Sequence, residues 1–147
     1  MQINPDFNSS AYTIRSYKPG EVEVFKPIPI DVMRKRDNMD GEKFDNILVL
    51  KHSFIVTPKM IDQDWGVENP HMLNEAVFRG LMRLKPEVLI VGTGKSIHFP
   101  DTTDTLPLLQ AGIGVEFMDT AAACRTYNFL VSDGRDVAGA FFMIGDE

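Results

Sequence analysis

The run Val88-Leu89-Ile90-Val91-Gly92-Thr93-Gly94-Lys95, followed by Gly112-Ile113-Gly114-Val115-Glu116-Phe117-Met118-Asp119-Thr120-Ala121-Ala122-Ala123-Cys124-Arg125-Thr126-Tyr127-Asn128, decides the fold class. Val88–Val91 is a continuous apolar strand, set off by Pro86 on one side and glycines on the other. Thr103–Ala111 then reads as a short helix, Gly112 permits a left-handed cap, and Val115–Met118 is the next strand. Ala121–Ser132 reads as a helix capped by Asp119 or Thr120, and Gly134 breaks it before a last strand over Val137–Ile144. Strand alternating with helix argues for an α/β chain, with a parallel or mixed sheet carrying helices on its faces.

Working back toward the start, Asn69-Pro70 reads as a helix start, since Asn caps free N–H groups and Pro sits where none is needed. Leu73, Val77, Leu81 and Leu84 follow at helical spacing, and Pro86 stops the helix. Thr57 to Asn69 reads as loop, its bulky anchor Trp65 being either a buried staple or an exposed contact for a partner. Ile47–Leu50 and Phe54–Val56 are short strand runs, separate or one strand interrupted by Lys51-His52-Ser53. Residues 31–45 mix basic and acidic side chains around Gly41 and read as a solvated charged loop, with Met33, Met39 and Met60 as adaptable contacts in or near the loops. Near the start, Tyr12–Tyr17 and Val22–Val24 alternate around Lys18-Pro19-Gly20-Glu21, a type II turn pattern that predicts a hairpin. Residues 1–10 are polar and expected to fray.

The chain has 147 residues, 44% of them hydrophobic, which suits one domain, since domains commonly run about 100–200 residues. A formal charge of −6 argues against a phosphate-tracking nucleic-acid binder. One Cys excludes an internal disulfide, and three scattered His argue against a metal centre. No run approaches the roughly 20 apolar residues of a membrane span. The first residues have neither a signal-peptide nor a transit-peptide pattern, so the expected placement is cytoplasmic and not integral to the membrane.

Gly92-Thr93-Gly94-Lys95-Ser96 follows a strand, which raises the question of a phosphate loop. The Walker-type pattern needs Gly where Leu89 stands, and a dinucleotide fingerprint needs Gly where Ile97 stands. The loop either closes a βα junction or forms an open anion cradle with Lys95 as a point charge. In the second stretch, Thr120, Cys124 and Asn128 share a helical stripe, with Arg125 one turn before Asn128. Cys124 is either a thiol activated by Arg125 and the helix start, or a small buried one. Asp119 is a cap or a general base. Arg125 calls for a carboxylate, with Glu116 and Asp119 as candidates, or for a bound anion. Gly92, Thr93, Gly94, Lys95, Asp119, Thr120, Cys124, Arg125 and Asn128 together form a candidate ligand or anion cleft. No complete nucleophile–base set stands at recognised spacing, so no catalytic residue, metal or cofactor is assigned.

Residues Val91–Lys95 and Gly112–Asn128, with Asp133-Gly134-Arg135-Asp136-Val137-Ala138-Gly139-Ala140 after them, resemble a small family of bacterial and archaeal proteins of unknown function that also includes the mitochondrial respiratory complex I assembly factor 3. The resemblance covers about residues 87–141. It implies a three-layer α/β fold, a central mixed five-stranded sheet flanked by helices with an additional N-terminal β-hairpin. It also implies a non-enzymatic protein-interaction module of bacterial type, whose partners are respiratory-complex subunits or assembly proteins. A small-molecule or anion-binding protein, or a weak enzyme using the cleft between residues 92–95 and 119–128, is the competing reading.

Overall fold

The computed structural model describes residues 10–29 and 45–145. The expected frayed start and charged loop therefore lie outside the described residues, apart from Ser10 and Asp45, and so do Met33 and Met39.

Strands β1 (Thr13–Lys18) and β2 (Glu21–Phe25) form the predicted hairpin, with Gly20 at φ 75° supplying the positive φ of the turn's third residue. The hairpin gains a third strand, β3 (Ile47–Leu50), antiparallel to β2. The next strand, β4 (Phe54–Val56), belongs to a different sheet, which corrects the reading of the two runs as one interrupted strand. The exposed Lys51 and His52 and the buried Ser53, whose hydroxyl donates to the Val67 carbonyl, carry the chain from one sheet to the other. Thr57 tightens the turn that follows by accepting from the Lys59 and Met60 N–H groups, which sets the two-residue strand β5 (Ile61–Asp62) against β4 in a stretch expected to be all loop.

The larger sheet has strand order β5-β4-β8-β6-β7, where β6 is Val88–Thr93, β7 is Gly114–Met118 and β8 is Val137–Phe142. Strand β6 runs parallel to both β7 and β8, and β4 runs antiparallel to β8, so the sheet is mixed. Two helices stand where the alternation predicts them: α2 (Thr102–Gln110) and α3 (Thr120–Ser132). Helix α1 (Glu75–Met82) begins later than Asn69-Pro70 suggests. Asn69 caps only a 3₁₀ turn over Pro70–Met72; Leu73 is extended, and Asn74 makes a second cap by accepting from the Val77 N–H at 3.0 Å. Two Asn caps five residues apart compete for one helix start, and the second is free of the proline.

Strand periodicity divides the core. Leu89 and Val91 point to the face covered by α1 and α2, with Phe78, Leu81 and Leu108. Ile90 points to the face covered by α3, where Tyr127, Val131 and Phe141 meet Ile14, Val22 and Val24 of the small sheet. The result is three layers: α1 and α2, the mixed sheet, and α3 with the three-stranded sheet beside it. Trp65 acts as a staple, its ring 5.3 Å from that of Phe142.

Candidate functional site

After β6 the chain turns to α2 on one face of the sheet; after β7 it turns to α3 on the other. Adjacent parallel strands whose loops diverge to opposite faces leave a crevice at their carboxyl ends, the usual ligand position in an open α/β sheet. Here that crevice is stitched together. The Gly94 N–H donates to Thr120 Oγ1 at 2.8 Å, and the Thr120 N–H donates to the Gly94 carbonyl at 2.8 Å. The Thr120 hydroxyl itself donates to the Phe142 carbonyl at 2.6 Å, tying in β8. The Thr93 hydroxyl lies 2.7 Å from the Ser96 carbonyl and accepts from the His98 N–H at 3.0 Å. Gly92 has no room for a side chain, because a Cβ there would sit 3.0 Å from Ala123 Cβ and 3.1 Å from Thr120 Cα. Gly92, Thr93, Gly94 and Thr120 are thus brought together and buried, with the Gly94 and His98 N–H groups spent inside the junction. Lys95 stands outside it, exposed.

Asp119 is the helix cap, accepting from the Ala122 N–H at 2.9 Å. Arg125 is exposed, and its Nη1 donates to Tyr17 Oη at 2.6 Å rather than pairing with Glu116 or Asp119. One turn on, the buried Asn128 side chain accepts from the Ile14 N–H and donates to the Ile14 carbonyl, both at 2.8 Å. These two residues bind α3 to the small sheet. Of the three alanines, Ala123 alone is fully against the sheet.

Cys124 is fully buried, and desolvation pushes its thiol up to about 12, with the Arg125 charge pulling weakly the other way. His98 lies on the α2 side, its ring 5.4 Å from that of His71, so no imidazole serves Cys124 from there. A thiol-reactive probe should therefore label the native protein slowly even at a pH where an ordinary cysteine is largely ionised, and label the denatured protein fast. Equal rates in the two states would contradict this burial.

Two cavities lie elsewhere. One, of about 260 Å³, is lined by His71, Leu73, His98, Phe99, Asp101 and Asp104, beside the start of α2. The other, of about 570 Å³, lies at the opposite end of the sheet, among Thr57–Met60 and Gly134–Asp136. Sequence reasoning missed Phe99, since nothing in the pattern around it sets it apart from a core aromatic, and its exposure shows only in the folded chain. Among the described residues no cluster of His, Cys, Asp and Glu could hold a metal ion, and no helix is long and apolar enough to cross a membrane.

The family described as "protein of unknown function (DUF498/DUF598)" matches residues 38–142. The chain belongs to this family. Among its relatives, the NADH dehydrogenase (ubiquinone) 1 alpha subcomplex assembly factor 3 of Xenopus tropicalis is 40% identical over 87 residues, covering 58% of this chain and 47% of that protein. The chain thus spans about half the length of the assembly factors it matches. A 13 kDa major membrane protein of Francisella tularensis is 34% identical over 104 residues, 70% of this chain and 85% of that protein. A Bordetella parapertussis crystal structure superposes with a TM-score of 0.71 at 31% identity, covering 91% of this chain and 97% of that one. A Bordetella pertussis solution structure, described as a Mth938-like domain, gives 0.70 at 27% identity over 100% of this chain and 95% of that one. The α/β fold with its N-terminal hairpin is the fold of these neighbours.

Proposed function

We propose that this family member is a non-enzymatic protein-interaction module that assists biogenesis of a membrane respiratory complex from the cytoplasm, with complex subunits or other assembly proteins as its partners. Support comes from the similarity to proteins named as NADH dehydrogenase assembly factors. The observation that favours a module over a small-molecule binder is the stitched crevice. The groups that would greet a ligand there, the Gly94 N–H and the Thr120 hydroxyl, are already paired with each other and with Phe142. A ligand would have to break buried hydrogen bonds, each costing about 1–3 kcal/mol when a partner is orphaned.

The test is deletion of the gene, followed by measurement of assembled membrane NADH dehydrogenase on native gels. Assembly should fall, and both the wild-type chain and Cys124→Ser should restore it, because a thiol held protonated by burial contributes packing rather than nucleophilicity. Normal assembly in the deletion strain, or a missing metabolite conversion that a well-folded Cys124→Ser protein cannot restore, would overturn the proposal.

A further inference from the structure

The loop that leaves the stitched junction carries large apolar side chains into solvent. Phe99 is 74% exposed and Ile97 49%. Helix α2 continues the feature: Leu106 and Leu109, at 44% and 74% exposure, are one turn apart on the face opposite the buried Pro107 and Leu108. An exposed aromatic and two outward leucines on neighbouring segments mark a surface for a macromolecule rather than for water.

Charge says which macromolecule. Between the exposed Lys95 and Arg125, which bound the stretch, every formal charge is negative, namely Asp101, Asp104, Glu116 and Asp119, and the two that stand on the loop and on α2 are Asp101 and Asp104. Asp101 occupies the N-cap position of α2 yet makes no capping hydrogen bond. Asp101, with Asp104 one turn on, lines the cavity of about 260 Å³ together with Phe99, His71 and His98. An aromatic residue and two acidic residues around one cavity suit a guanidinium or an ammonium. An anionic lipid surface would be repelled by the same carboxylates, and a second copy of this chain would bring its own acids against them.

We propose that the 97–101 loop and the outward face of α2 form a docking surface for a basic amphipathic segment of a partner protein. The partner's apolar side chains cover Phe99, Leu106 and Leu109, and one of its Lys or Arg side chains enters the cavity against Asp101 and Asp104. The assignment rests on reading the chain as an interaction module, and names the surface and the kind of partner for it.

The probe is a synthetic lysine–leucine amphipathic peptide, titrated against the full chain by calorimetry beside its glutamate–leucine counterpart. The lysine peptide should bind and the glutamate peptide should not. Leu106→Gln with Leu109→Gln, which removes the apolar contacts without changing the charge, should weaken binding roughly tenfold or more, the scale of losing hot-spot contacts. Asp101→Asn with Asp104→Asn should weaken it several-fold, whereas Asp133→Asn with Asp136→Asn, the same charge change at the other end of the sheet, should not. All these side chains are in solvent-accessible positions, and an unchanged melting temperature verifies the fold of each variant. Equal weakening by both Asp pairs would overturn the surface in favour of simple charge attraction. So would binding indifferent to the leucines, dimerisation through α2 without peptide, or binding to phosphatidylglycerol vesicles that the leucine variant loses. Those failures concern the surface alone, since the assembly role is read independently from the deletion strain.

Discussion

Replacing Asn128 by alanine is expected to destabilise the protein by about 3 kcal/mol or more, since two buried backbone groups lose their partner at about 1–3 kcal/mol each. Strand β1 is an edge of the small sheet, and the outward N–H and carbonyl of Ile14 would ordinarily face water. They are instead buried against α3, where the Asn128 amide presents one acceptor and one donor at 2.8 Å each, in the manner of one residue of a neighbouring strand. Ile14 is fully buried, so bulk solvent does not reach these groups in the folded protein. Chemical denaturation of the purified variant reads the loss directly.

Asn128→Asp sharpens the test. The carboxylate keeps an acceptor for the Ile14 N–H but sets its second oxygen against the Ile14 carbonyl, in a buried site. Burial and that repulsion should raise the carboxyl above its unfolded value, so the folded state binds the extra proton more tightly. Stability then falls as pH rises through the raised value and recovers as pH falls, when the protonated carboxyl can donate to the carbonyl. The difference from wild type should accordingly be smaller near about pH 4 than near about pH 7. A pH-independent difference would mean that Asn128 acts by shape alone.

Asn128 also marks where the sequence stops being legible. Its place on a stripe with Thr120 and Cys124 follows from the helical repeat, and that stripe is the buried one. What the stripe faces does not follow, because the partner, Ile14, lies 114 positions away and belongs to a hairpin whose docking no local pattern encodes. The strand–helix–strand–helix–strand order after Pro86 is visible for the opposite reason: each boundary there carries its own local punctuation, such as Gly112 and Gly134, both at φ 75°. The same limit applied to Arg125. Charge made Glu116 and Asp119 the natural partners, but the helix cap claims Asp119, and the guanidinium reaches across to Tyr17. The outward leucines of α2 are hidden from periodicity as well, since Leu106, Leu108 and Leu109 are chemically alike and only the packed structure tells which one faces water.

The second large effect is expected at Gly92. Alanine there should cost about 2–3 kcal/mol, the upper part of the range for overpacking a filled interior, and valine more. The added Cβ would lie 2.9 Å from Phe141 Cδ1, 3.0 Å from Ala123 Cβ and 3.1 Å from Thr120 Cα. A ring edge can yield by rotation, but the Thr120 Cα cannot move unless α3 moves with it. Shifting α3 outward pulls on the Gly94–Thr120 pair and on the Thr120–Phe142 bond, so the strain is shared with the hydrogen bonds that close the crevice. Two comparisons isolate this cause. Gly80→Ala, in α1 with open space at the Cβ position, should stabilise by about 0.5–1 kcal/mol, because alanine lowers the entropy of the unfolded chain. Ala123→Gly should be destabilising alone yet recover part of the loss when combined with Gly92→Ala, a non-additivity expected only of residues in direct contact. If the two losses simply add, the close approach of α3 to β6 is not what holds the crevice shut.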